Sequence, residues 1–327
     1  MSLSAFIELV NKKGKDRVPF FFVVDFELHN PQVWDIASLI DENILFNFEG
    51  FSNHPKKEAT PVHAEKVYPA FETYQRVFDQ VFQHLQVGNS FLVNLTAKTE
   101  LITSASPSDI YHASSAKYKI LYKDEWVVFS PETFVRISGN IIETCPMKGT
   151  IDADLPGAAT RLLNDPKELA EHVTVVDLLR NDLSRVSHDV RVEKFRYTEE
   201  IRTNGKHLLQ TSSKIAGRLP SGYESNLGEI ITELLPAGSI CGAPKPMTCQ
   251  IIKEAEGEKR GYYTGVAGYF DGVSLNSCVL IRYIEKIGDQ LFYRSGGGIT
   301  AQSQVQQEYQ ELIDKVYVPT IGVYQNS

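Results

Sequence analysis

Cysteine is scarce in this chain. Only Cys145, Cys241, Cys249 and Cys278 occur among 327 residues. None stands in C-x-x-C spacing, which argues against a zinc ribbon and a thioredoxin-like motif. Thiols so sparse in a chain this long point to a reducing compartment rather than a disulfide scaffold. Basic runs are missing too. Lysine and arginine number 33 against 41 aspartates and glutamates, a net charge of −8, so there is no electrostatic footprint for nucleic acid. The overall field will not attract an anionic small molecule; local cations, backbone N–H groups or a metal ion would have to hold it. Long apolar runs are also absent: stretches such as PFFFVV at 19–24 are far too short to span a bilayer. The opening MSLSAFIELVNKKGK places its apolar residues ahead of its lysines, unlike a secretory signal. The expectation is a cytoplasmic protein with neither membrane nor nucleic acid among its partners. No fixed-period repeat, low-complexity tract or Pro- or Ser-rich linker interrupts it.

What is present suits a large core. The 42% hydrophobic and 23% charged balance is that of an ordinary globular chain. Residues 19–25 and 43–48 read as short strands rich in β-formers. From Ala64 to Val87, apolar residues recur along one helix face at Val67, Phe71, Tyr74, Phe78, Val81, Phe82 and Leu85. Phe91, Val93, Leu95 and Ala97 then alternate with polar neighbours, as a half-buried strand does. Ser138-Gly139-Asn140 joins Phe134–Ile137 to Ile141–Thr144 as a hairpin. The next helix has a marked start: Asp165 can cap, Pro166 suits the first helical position, and Glu168 falls where a capping-box carboxylate would. Further helices are expected after PAGSICGAPKP and from Gln304, with strands at 261–269, 277–284 and 290–294. This hairpin-rich pattern with long helices predicts an α+β fold rather than regular βαβ alternation.

Two of these helices carry carboxylates three residues apart, Glu168 with Glu171 and Glu308 with Glu311, which places each pair on one face. Two such faces together would give oxygen-only ligation, suited to magnesium. Taken singly, each pair reads first as a solvated face, and Glu168 already has a capping role. The glycine clusters PAGSICGAPK (236–245) and RSGGGIT (294–300) let the backbone approach an anion and offer it N–H groups, or serve as ordinary turns. Lys148, in CPMKGT, becomes a competent nucleophile if desolvated, though the sequence context alone reads first as a surface lysine. Glu132, in SPET, can serve as a general acid or as a plain turn carboxylate.

Eight segments in order change this balance: SFLVNLT (90–96), FSPE (129–132), PMKGT (146–150), ELAEHVTVVDLLRNDLSRV (168–186), PAGSICGAPK (236–245), RGYYTGVAGYFDG (260–272), LIRY (280–283) and GGGIT…EYQE (296–311). In order and spacing they resemble the chorismate-utilising enzymes, over about residues 85–317. The resemblance implies an α/β/β/α sandwich, two antiparallel sheets flanked by helices. It implies a catalytic segment at 61–327, preceded at 1–60 by a short segment packed on the core. Nothing there resembles the L-L-E-S tryptophan pocket that some members carry. Glu171 and Glu311 resemble the magnesium ligands, with Glu168 and Glu308 as their neighbours. Gly296, Gly297, Gly298, Arg282 and Tyr263 would contact the substrate's acidic groups, and Gly149 and Thr150 would line its ring. His207 would lie near the departing hydroxyl and Lys245 near the site as a cation.

Position 148 separates the subfamilies. Anthranilate synthases read PIAGT there, whereas aminodeoxychorismate synthases carry a lysine, as this chain does in PMKGT. The resemblance therefore implies amination of chorismate to 4-amino-4-deoxychorismate for p-aminobenzoate and folate synthesis. Lys148 would be the nucleophile and Glu132 the acid, with anthranilate formation as the alternative. The water-using members bear a lysine at the position of Leu92, which cannot activate water. The amine-using members often have glutamine there, so Leu92 departs from both patterns; so do Cys241, where threonine is usual, and Ala237, where glycine is usual. With no G-x-C-x-G nucleophile turn in the chain, ammonia is expected from solution or a separate glutamine amidotransferase subunit.

Overall fold

A computed structural model gives the structure of the protein over residues 1–57, 60–203 and 206–318; the end of the expected catalytic segment, 319–327, lies outside the described residues. The run FFFVV forms the strand Phe20–Val24, with all five side chains buried. A strand alternates its side chains between two faces, so Phe20, Phe22 and Val24 enter one core while Phe21 and Val23 enter another. A strand covered on both faces belongs in the interior of a layered structure.

Two nine-stranded antiparallel sheets provide those layers. The first runs, in spatial order, Met147–Asp152, Lys206–Arg218, Ile141–Thr144, Thr133–Ser138, Leu275–Val279, Val266–Phe270, Phe20–Val24 and Gln32–Asp35, with His188–Thr203 also paired to Lys206–Arg218. The second runs Gly242–Ala243, Leu92–Ile102, Gln290–Ile299, Tyr283–Ile287, Trp126–Ser130, Tyr118–Tyr122, Ile44–Phe48 and Phe51–Ser52, with Glu65–Val67 on Leu92–Ile102. Phe21, Val23 and Ala267 of the first sheet meet Phe46, Tyr118 and Trp126 of the second in an aromatic-rich core. On the first sheet, Ile137, Ile142 and Ile215 share a core with Val175, Leu179 and Leu183 of the helix Pro166–Val186 and with Phe6 and Val10 of Leu3–Lys15. On the second, Ile110 and Tyr111 of Pro107–Ala113 cover Leu121, Val127 and Phe129. Each large apolar side chain fully buried contributes roughly 1.5–3 kcal/mol. The result is the α+β sandwich expected, two antiparallel sheets flanked by helices.

Residues 1–60 do more than pack on this core. They supply Phe20–Val24 and Gln32–Asp35 to the first sheet and Ile44–Phe48 and Phe51–Ser52 to the second. The helix expected from Ala64 starts only at Phe71, and Glu65–Val67 pairs instead with Leu92–Ile102. Pro69 gives the physical reason: it disfavours helical backbone in the residue before it. The hairpin at 134–144 and the helix after Asp165 form as expected, with the Asp165 carboxylate accepting from the backbone N–H groups of Lys167 and Glu168. The long strands His188–Thr203 and Lys206–Arg218 escaped the sequence reading because polar residues crowd the first of them, leaving no alternation to count.

Candidate active site

The edge strand Met147–Asp152 of the first sheet comes close to the glycine run of the second. A Cβ built on Gly298 would lie 3.8 Å from Lys148 Nζ and 2.9 Å from Leu92 Cδ1. Only a residue without a side chain lets the lysine and Leu92 converge there. Gly296, Gly297 and Gly298 do not form the turn the sequence suggested. They continue the strand Gln290–Ile299 in register with Thr96, Leu95 and Asn94.

Lys148 sits at an irregularity in its own ladder. The pairing with Lys206–Arg218 shifts between Lys148 and Thr150, around Gly149 at φ +77°. Such a bulge re-aims the side chains beside it. A Cβ on Gly149 would lie 2.8 Å from Glu168 Oε2, so glycine also lets the long helix close on the strand. Thr150 beyond the bulge is exposed.

That helix brings Glu171 to Lys148, with Nζ 3.9 Å from Oε2; Lys167 stands 3.9 Å from the other oxygen. From the opposite side, the helix Val305–Asp314 presents Glu308 and Glu311 towards Gly297, whose built Cβ would lie 3.5 and 3.4 Å from their carboxylate oxygens. Glu308 is buried and accepts from Ser303 Oγ at 2.7 Å. Burial pushes its carboxyl above the usual range, and the charges of Glu311 and Glu171 add to the push. Glu168 shifts upward likewise, through burial and then Glu171 and Asp165. Burial opposes ionisation of Glu311 as well, but Lys315 at 2.5 Å overcomes it and holds that carboxyl down. Four carboxylates thus share a region where lysines supply the positive charge. Two hard oxygen ligands, with water and substrate oxygens completing the shell, suit magnesium. Among the described residues, no group of three or more His, Cys, Asp or Glu stands in ligating geometry. A cation here would rest on Glu171 and Glu311.

Glu132 follows the strand Trp126–Ser130 in a tight link, its N–H donating to Ser130 Oγ and its carbonyl accepting from Val279 N. The Ser239 hydroxyl donates to its carboxylate. Burial nonetheless pushes the Glu132 carboxyl up, against Ser239, Lys148, Arg282 and Lys117, which pull it down. A carboxyl that keeps its proton is equipped to act as an acid.

Arg282 adopts a left-handed backbone at φ 55°. Its Nε is buried and has no partner among the described residues, and its guanidinium lies 5.3 Å from the Tyr317 ring centroid. An unpaired buried donor of this kind is suited to an anion. Tyr263 is only 3% exposed, packed among Tyr283 and Arg294. Burial pushes its phenol up to about 12, so it remains a neutral donor.

Two expected residues are engaged by other side chains. Lys245 Nζ is tied to Asp182 at 2.8 Å and to the Leu234 carbonyl at 3.0 Å. That pair joins the GAPK segment to the long helix. His207 lies four strand residues from Thr211, the partner of Lys148, roughly 13 Å along the strand. Its ring faces Asp154 at 3.1 Å and Glu200 at 3.3 Å, which raise its pKa, Asp154 first. The sequence reading missed Ser239 and Lys315. Lys315 also donates to the Gly296 carbonyl at 2.8 Å, and burial pulls its ammonium below the usual range against Glu311. Its position four residues after Glu311 was the available signal.

A sequence model of the chorismate binding enzyme family matches residues 26–320. The chain belongs to that family. Among the proteins similar to it, an uncharacterised PabA-like protein of Pasteurella multocida is 49% identical over 98% of this chain and 99% of its own length. Aminodeoxychorismate synthase component 1 of Bacillus subtilis is 33% identical over 75% of this chain and 54% of its own. The crystal structure of anthranilate synthase component I from Streptococcus pneumoniae superposes with a TM-score of 0.67 at 28% identity, covering 80% of this chain and 60% of that one. These relatives thus include both an aminodeoxychorismate synthase and an anthranilate synthase.

Proposed function

We propose that this chorismate-binding enzyme aminates chorismate to 4-amino-4-deoxychorismate, with ammonia from a separate glutamine amidotransferase chain. The observation that carries the reading is Lys148, whose Nζ reaches the point where Gly298, Leu92 and Glu171 converge. In this reading Lys148 Nζ attacks C2 of the ring while the 4-hydroxyl departs with the proton of Glu132. Ammonia then adds at C4 and the lysine leaves. Dividing the substitution in two avoids direct displacement of a poor leaving group by a weak nucleophile. Arg282, Lys315 and the backbone of Gly296–Gly298 hold the acidic groups, and Leu92 keeps the lysine's flank apolar. Glu171 and Glu311 would hold magnesium, which supplies charge stabilisation and orientation when bound.

Incubation with chorismate, an ammonium salt and magnesium, followed by mass spectrometry of the products, tests the reading. Aminodeoxychorismate, converted to p-aminobenzoate when a lyase is added, is the expected result. Fluorescent anthranilate with release of pyruvate would assign the chain to the other reaction.

A further inference from the structure

Cys241 and Cys249 lie with their sulfur atoms 3.3 Å apart, in direct thiol–thiol contact. Cys241 ends the short helix Gly238–Cys241 and is fully buried, whereas Cys249 stands in Lys245–Glu256 and is half-buried. A disulfide has an S–S length of about 2.0 Å, so forming one draws the two sulfur atoms, and the helices that carry them, towards one another. We propose that this pair is an oxidation site, in which hydrogen peroxide couples Cys241 to Cys249 and displaces Ser239 from Glu132. Attack of the Cys249 thiolate on peroxide gives a sulfenic acid and hydroxide. The Cys241 sulfur then displaces hydroxide from that sulfenic acid to form the S–S bond. In sum two thiols and one peroxide give one disulfide and two waters.

The division of roles follows from the surroundings. Cys249 is the more accessible thiol. Its ionisation is favoured by the hydrogen bond from Cys241 and, despite burial, by Arg260 and Lys245. Cys241 is shifted the other way, through the same hydrogen bond and then burial, and serves as the resolving thiol. The link to the site runs through the backbone. Ser239, which holds Glu132, belongs to the same four-residue helix as Cys241. On the other side Gly242 presses on Leu92, where an added Cβ would stand 1.8 Å from the Leu92 carbonyl oxygen. The helix therefore cannot yield towards Leu92.

The effect on turnover rests on the proposed role of Glu132; the covalent change does not, and two readouts separate them. Both cysteines fall in one tryptic peptide, 219–253, because trypsin does not cut before Pro246. After peroxide, denaturation and N-ethylmaleimide, that peptide is expected unlabelled and lighter by two hydrogens, with Cys145 and Cys278 still labelled. Two labels on it, or a link to Cys145 or Cys278, would overturn the site. In the activity arm, peroxide is expected to slow the wild type about tenfold or more, since a displacement of about 1 Å can cost ~10²-fold. Dithiothreitol should restore the rate, and Cys249→Ser should retain it under peroxide. A fully formed disulfide with an undiminished rate would refute the coupling to Ser239. If Cys249→Ser folds poorly by circular dichroism, Cys241→Ser serves the same comparison.

Discussion

In the proposed mechanism Glu132 gives up a proton and Lys148 acts as the nucleophile. Because burial raises the carboxyl of Glu132, its protonated form persists above the usual carboxylate range. Activity that uses this proton is therefore expected to fall as pH rises through that raised value. Glu132→Gln should lower kcat by about 10²–10⁴-fold and remove that limb of the kcat profile; a change confined to KM would make Glu132 a binding residue. The same shift opposes folding as pH increases from the ordinary 4.5, because the folded state binds the extra proton over that window. Lys148→Ala is expected to abolish aminodeoxychorismate formation while the carboxylates stay in place. Wild type quenched with chorismate but without ammonia should yield a ring adduct on the Lys148 peptide. An alanine variant at the wild-type rate would reduce Lys148 to a bystander. At this scale, residue types in their motifs singled out Glu132, Lys148 and Glu171, and the fold brings the last two to 3.9 Å. Ser239 and Lys315 were not singled out, because a serine in a loop and a lysine at a helix end acquire meaning only from what folds against them.

The elements that place these groups rest on local chemistry of ordinary size. Asp165 satisfies two N–H groups at the start of the helix bearing Glu168 and Glu171. Asp165→Ala should cost about 1 kcal/mol of stability, read as a lower urea midpoint with an unchanged slope. A larger test lies at Glu256. Its carboxylate binds Arg260, side chains 4% and 1% exposed, and accepts from the N–H and hydroxyl of Thr96. This network fastens the helix Lys245–Glu256 to the strand opposite the glycine run. Glu256→Ala leaves the guanidinium buried and unpaired, and should cost about 3–5 kcal/mol; a loss below ~1 kcal/mol would show that the network is not structural. Capping residues and helix periodicity were readable along the chain. The helix Phe71–Gln86 starts later than its apolar periodicity suggests, because Pro69 stands just ahead of it and Glu65–Val67 pairs with Leu92–Ile102.

Over the whole molecule, the long helix and the C-terminal helix bring their carboxylates towards one another from opposite layers of the sandwich. A cation shared between them would tie the two layers together in the folded state alone. Magnesium at a hundred times its Kd should then stabilise the protein by about 2.7 kcal/mol, seen as a rise in Tm that EDTA reverses. Glu171→Gln and Glu311→Gln should each abolish that rise without unfolding the chain. An undiminished rise in both variants would place the metal elsewhere. Without metal, Glu308→Gln should raise Tm slightly, since it removes a buried charge facing Glu311 and Glu171.

The sequence by itself determined the α+β class, the hairpin at 134–144, the capped helix start at Pro166, and the order of the motifs that mark a chorismate-binding enzyme. These depend on local periodicity, capping and residue type, all of which are written along the chain. Only the tertiary structure decided that Gly296–Gly298 lie in a strand, that residues 1–60 join both sheets, and that Lys245 is committed to Asp182. Each of those is a contact between segments far apart in sequence. Burial, which raises Glu132 and lowers Lys315, exists only once both sheets and both helices have closed around them.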